Sequence, residues 1–287
     1  MIFAVGHLVS YFGNEPENLP CALFSARTAL SSRGHHEPTP SDGFGLGFVQ
    51  GGDVLLRKQP RADTSTVDLY SLAKDTRAEA LIGRVGLSRD GNTPAEDADP
   101  FRFRSWLFGS IGEFDEVALE SVRDRLLEST PAFLRRNIRG HSPSEHLFHL
   151  FLAFLHDAGT LDQPTPSPTA VHGALRNSLA FVDRLLAEVS AAPLRIALAA
   201  TNGRCFVAAS HGHPMRYLQI EGIPDCPVCQ AANDRGNGGH TTRRVPHEAL
   251  RAVIVEADRA VSSRPGWTDV PDRSALIAGP DRMAQVV

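Results

Sequence analysis

The chain has 287 residues, 42% of them hydrophobic and 22% charged, which is the make-up of an ordinary globular protein with room for a sizeable core. A formal net charge of −4 offers no basic footprint for nucleic acid or an anionic membrane, and no apolar run nears the ~20 residues that span a bilayer. Four cysteines are too few for a disulfide scaffold and residues 1–7 lack the features of a signal peptide, so reduced thiols and a cytoplasmic location are expected.

Residues 3–12 form the first β-rich run. In Asp42-Gly43-Phe44-Gly45-Leu46-Gly47-Phe48 glycine alternates with apolar residues, and a strand over 53–58 follows Gly51-Gly52, a pair that reads as a hairpin turn. Further strands are expected at 80–88 and 105–114. Helical periodicity then takes over at 117–127, 144–155 and 170–189, the second opening on Ser144 and Glu145 with acidic charge in its first turn. Strands return at 194–200, 205–209, 215–220 and 250–255.

This order has no regular βαβ alternation, which argues against a doubly wound parallel sheet. Helices between two runs of strands predict an α+β fold, an αββα sandwich of two antiparallel sheets flanked by helices. The Pro-rich stretches 36–40 and 163–168 read as surface loops, so residues 1–287 are expected to form a single domain. A longer insertion at about 221–245 has a length that is usually functional.

The segment Gly6-His7-Leu8-Val9-Ser10-Tyr11-Phe12-Gly13 resembles the C-R-L-L-A-Y-L-G opening of class II glutamine amidotransferases, whose Cys becomes the free N-terminal nucleophile. The element beginning at Asp42 is similar to the D-G-W-G-V-G-F/W run of the branch that includes the ergothioneine-pathway and glutathione-degrading amidohydrolases. Asp99-Pro100-Phe101 with Trp106-Leu107-Phe108 resembles its N-T-H-P-F and W-x-F-A-H-N-G region, and Gly140-His141-Ser142-Pro143-Ser144-Glu145 its G-x-T-D-S-E. Val255-Glu256-Ala257-Asp258 and Trp267-Thr268-Asp269-Val270-Pro271 complete the order. The resemblance implies an Ntn-hydrolase-like sandwich.

The same comparison removes the chemistry. A thiolate must attack the amide, yet the Cys position holds Gly6, preceded by five residues. The oxyanion Asn position holds Ile111, leaving the Gly112 backbone N–H. The acid that reads the substrate ammonium is replaced by Pro143, and the family Arg, counted back from Ser88, falls on Val85 with Arg84 beside it. Asp42, Gly43 and Ser110, which stands at the family His, complete this pocket.

The resemblance therefore implies a pseudoenzyme: a binding, regulatory or complex-forming subunit with a protein partner or a second copy of itself, and a pocket still able to hold a small molecule. The alternative is an active glutamine or γ-glutamyl amidohydrolase with a relocated nucleophile, for which Ser10, Ser88, Ser110 and Cys21 come into question; Ser10, about 13 Å along the strand from Gly6, cannot take its place, and Ser110 has no evident base.

A third reading comes from Cys226-Pro227-Val228-Cys229 in the insertion, with His211, His213, His240 and His247 near it in sequence. Thiolates two residues apart can share a tetrahedral zinc with one or two histidines, giving a zinc-stabilised interaction module; a plain pair of reduced thiols is the competing view. His146 and His149, with His156 further along, are spaced to share a helical face that equally reads as the solvated edge of the helix, and His35-His36 sits in an exposed loop.

Overall fold

The computed structural model describes residues 6–31, 43–59, 69–86, 94–113, 115–224, 226, 228–229, 247–258 and 265–287. The first half supplies the strands β1 (Gly6–Gly13), β2 (Gly43–Gln50), β3 (Asp53–Gln59), β4 (Ala80–Gly86), β5 (Phe101–Phe103) and β6 (Trp106–Glu113), with helices α1 (Leu19–Ser31) and α2 (Leu69–Ala73) between them. Four helices follow: α3 (Glu116–Glu128), α4 (Ala132–Arg135), α5 (Pro143–Asp157) and α6 (Pro168–Glu188). The chain then returns to strands β7 (Arg195–Thr201), β8 (Phe206–His211), β9 (Met215–Glu221), β10 (Arg251–Ala257), β11 (Thr268–Asp269), β12 (Ala275–Ala278) and β13 (Gln285–Val286).

Two antiparallel sheets result, one ordered β11-β9-β10-β1-β4-β2-β3 and the other β13-β12-β8-β7-β6-β5. Three apolar layers hold them. Leu8, Phe12, Ile82, Leu107 and Phe206 pack between the sheets. Val9, Tyr11, Leu46 and Val85 meet Leu19, Ala22, Leu23 and Ala26 of α1. Trp106, Phe108 and Leu198 face the helices α3, α5 and α6. The αββα sandwich expected from the element order is thus the observed one.

The boundaries shift by one or two residues, and Gly51 and Gly52 make the expected hairpin turn at φ +60° and +90°. Helix α5 starts one residue earlier than its acid-and-serine signal implied, because Ser142 is the N-cap and Pro143 fills the first turn where no N–H is needed. Phe148 stacks on Phe108 at 5.2 Å and Phe151 meets Trp106 edge-on at 5.7 Å, which seats α5 against β6. Among the described residues no helix is long and apolar enough to cross a membrane.

Candidate functional site

Strand β1 is central in its sheet, and its first residue carries the position of interest. Gly6 lies opposite Gly86 of β4, and Gly86 lies opposite Gly43 of β2, so three strands contribute a row without side chains. A Cβ placed on Gly6 would stand 2.9 Å from the Val85 carbonyl oxygen and 3.3 Å from Ile111 Cδ1. The first contact is backbone and cannot rotate away, and Ile111, 1% exposed, is fixed in the layer between the sheets.

The unbulged pairing of β1 with β4 settles which way each neighbour points. Leu8 and Arg84 are partners and face the other sheet, whereas Val85 pairs with His7 and packs toward α1. Arg84, rather than the residue at the family spacing, therefore reaches the inter-sheet side. Its guanidinium folds back over Gly86, where any Cβ would overlap it.

Strand β5 pairs with β6 only as far as Phe108, which leaves the edge of β6 open at Ser110. Side chains take over there: Arg84 Nε donates to the Ser110 carbonyl at 2.9 Å, and the Ser110 N–H donates to Asp99 Oδ1 at 2.7 Å. Burial pushes the Asp99 carboxyl up from the ordinary carboxylate range, opposed by Arg84, by the Ser110 N–H, by Lys58 and by the Ser144 hydroxyl. Ser110 Oγ is buried and lies 2.7 Å from Ser144 Oγ. Gly45 permits this arrangement, since a Cβ there would overlap the Asp99 carbonyl oxygen.

The remaining expected positions fall around this network. Pro143 opens α5, and the Glu145 carboxylate accepts from the Gly140 and Arg139 backbone N–H groups at 2.7 and 3.0 Å. Gly112 sits so close to Arg195 and Ile196 that a side chain would overlap both. Ser10 is fully buried between the sheets, and Cys21 lies on α1 across the sheet from Gly6. Asp42, Ser88, His35, His36 and His240 lie outside the described residues.

Two clefts flank α5. One, of about 1040 Å³, is lined in part by Lys58, Phe101, Arg102, Arg139, Glu145 and His149. His149 Nδ1 lies 2.9 Å from the Glu145 carbonyl, while its buried Nε2 has no hydrogen-bond partner among the described residues. Burial lowers the pKa of both Lys58 and His149. The other cleft, of about 380 Å³, is lined by His146, which burial, aided by Arg123, pushes down to about 4. The expected shared solvated face is not formed: His146 and His149 are buried in different surroundings and His156 alone is exposed.

The insertion cysteines have a partner that sequence reading paired with nothing. Donor atoms of Cys21, Cys226, Cys229 and His247 all lie within 4.8 Å of one another. Cys21 Sγ is 3.8 Å from Cys229 Sγ, which is 3.4 Å from His247 Nε2. His211 instead pairs with Asp183 at 2.8 Å and His213 Nδ1 lies 3.1 Å from the Pro214 carbonyl, so neither joins them.

A solved glutamine aminotransferase class-II domain protein from Silicibacter pomeroyi superposes with a TM-score of 0.57 at 16% identity, covering 98% of both chains. The fold is that of the class II glutamine amidotransferases. A predicted glutamine amidotransferase from Pseudomonas aeruginosa follows at a TM-score of 0.51 and 14% identity, with 100% and 99% of the two chains covered. Glutamine phosphoribosylpyrophosphate amidotransferase from B. subtilis gives 0.53 at 14% identity, this chain spanning 48% of that one. At the level of sequence, no family model matches the chain and no curated protein matches it.

Proposed function

We propose that this chain is a catalytically silent amidotransferase-fold protein, derived from the ergothioneine-pathway and glutathione-degrading branch, that acts by binding. The observation that carries the reading is the crowding at Gly6: neither a thiol nor a methyl group fits between Val85 and Ile111 without moving backbone. A nucleophile absent by substitution alone would leave space behind it; here the space is closed. The oxyanion Asn is replaced by the buried Ile111, and the ammonium-reading acid by Pro143 at the start of α5.

What persists is a single scaffold with an open, basic-lined cleft. Lys58, Arg102 and Arg139 fit a small anionic ligand, and a protein partner or a second copy of the chain is the second element of the proposal. The test is glutaminase and γ-glutamyl amidase activity of the purified full-length chain, beside a Gly6→Cys/Ile111→Asn variant in which residues 1–5 are replaced by an initiator Met. The native chain is expected to show no turnover. Turnover that persists through successive purification steps overturns the reading.

One arrangement favours the competing view of a relocated nucleophile. Ser110 Oγ, Ser144 Oγ and the Asp99 carboxyl form a hydrogen-bonded chain of hydroxyls ending on an acid. It lacks what acyl transfer needs: the described partner of Ser110 Oγ is another hydroxyl rather than an imidazole, and Ser110 is 1% exposed. Loss of activity in Ser110→Ala would establish this alternative if the native chain turns substrate over.

A further inference from the structure

We infer that Cys21, Cys226, Cys229 and His247 form a closed, structural zinc site that clamps the base of the insertion onto helix α1. Two of the six donor–donor edges have the lengths of a coordination tetrahedron, and the rest lie within 4.8 Å. Zn–S bonds of about 2.3 Å and Zn–N bonds of about 2.0 Å give S···S edges of roughly 3.8 Å and S···N edges of roughly 3.5 Å. The observed Cys21 Sγ to Cys229 Sγ separation is 3.8 Å and Cys229 Sγ to His247 Nε2 is 3.4 Å, with all four donors inside 4.8 Å. Sulfurs at that distance are not bonded to each other, since a disulfide needs about 2.05 Å.

The donors come from three separated pieces of chain, which makes chance proximity a poor account of their convergence. Cys21 is the third residue of α1, in the turn that continues from the 3-10 turn Pro16–Asn18, so the helix start fixes its place on the sheet. His247 is held by its own turn, its carbonyl accepting from Ile223 and Leu250 N–H groups at 3.2 Å each. Cys21, Cys226 and His247 are buried and Cys229 partly so, against Ile223, Val228 and Leu250.

Four protein donors leave no open position for water or substrate, so the site is structural rather than catalytic. Its place agrees: the donors sit on the α1 side of the seven-stranded sheet, while Gly6, Arg84 and Ile111 lie toward the layer between the two sheets. The inference stands whether or not the amidase pocket is silent. Because Cys226 and Cys229 lie near the start of the insertion and His247 just past its end, one ion ties both sides of that segment to the first helix after β1.

The full-length chain, purified without metal-affinity resin or chelator and kept reduced, is expected to carry about one zinc per chain by elemental analysis. Cys21→Ser and His247→Ala should each lower that content severalfold, and Cys205→Ser, in the core of the other sheet, should leave it unchanged. Refilling the stripped native protein with Co²⁺ should give the intense visible bands of a tetrahedral site together with thiolate-to-cobalt charge transfer, a readout that does not depend on any variant folding. Absence of both zinc and cobalt bands overturns the site. So does a thiol titration that finds two of the four cysteines joined as a disulfide, or a Cys21→Ser protein that keeps its full zinc.

Discussion

Arg84 Nε donates to the Ser110 carbonyl at 2.9 Å and thereby ties β4 of one sheet to the open edge of β6 in the other. The guanidinium also interacts electrostatically with Asp99, whose carboxylate accepts the Ser110 N–H, so one residue's two backbone groups are satisfied by an acid and a base that influence each other.

Removing one member of this pair leaves a charge in poor solvent. Arg84→Met and Asp99→Leu should each destabilise the protein by on the order of 3 kcal/mol in urea denaturation, with the double variant losing less than the sum. Additive losses would mean that the two side chains act independently.

Gly6→Ala should cost about 1–3 kcal/mol, since its new methyl meets the Val85 carbonyl at 2.9 Å. Trimming Ile111 to Val should not restore the loss, because the tighter contact is with backbone. Thermal unfolding of the two variants checks both statements.

His146 gives the protein an acid-side weakness. Its imidazole stays neutral in the folded chain down to about 4, while the unfolded chain protonates it near the ordinary value of 6.5. The unfolded state therefore binds the extra proton first, and stability falls as pH drops from about 6.5 to 4, by on the order of 2 kcal/mol. His149 is shifted in the same direction. A His146→Leu variant should show a shallower decline over that window; an unchanged slope would exclude the residue as the source.

Glu256 accepts from Arg216 Nη2 at 2.7 Å and Nε at 3.2 Å, both side chains being almost fully buried, and the Arg216 guanidinium lies 5.1 Å over the Trp267 ring. Glu256→Gln should cost on the order of 3 kcal/mol. It should also change the fluorescence of Trp267, which an unrelated destabilisation of the other sheet would not do in the folded state.

Much of the fold was legible because strands with strict patterns announce themselves: the glycine alternation from Gly43, the Gly51-Gly52 turn and the apolar stripe of α5 all fall where the sequence places them. Helix α1 was missed although Leu19, Ala22, Leu23 and Ala26 have helical spacing, because its small residues dilute the apolar signal. The two-residue strands β11 and β13 are too short to carry a pattern. In the site, the identities of Gly6, Ile111 and Pro143, on which the proposed silence rests, are read directly from the sequence. That Arg84 rather than Val85 faces the other sheet could not, because alternation fixes relative faces and only the partner strand fixes the absolute one. Cys21 escaped for a different reason: a CxxC pair predicts that further ligands exist, but not which distant residue the fold delivers.

The position of β1 has a consequence for how the molecule is made. Tyr11 lies opposite Leu81 on one side and Ile254 on the other, so the first described strand needs a neighbour from near the far end of the chain. During synthesis that edge stays bare through the emergence of α1 to α6 and of strands β5 to β8 of the second sheet, an open template for pairing with another nascent chain. Strand β1 can pair with β4 soon after both emerge, but its other side closes only on β10, so completion of the seven-stranded sheet is a late event in the making of the chain.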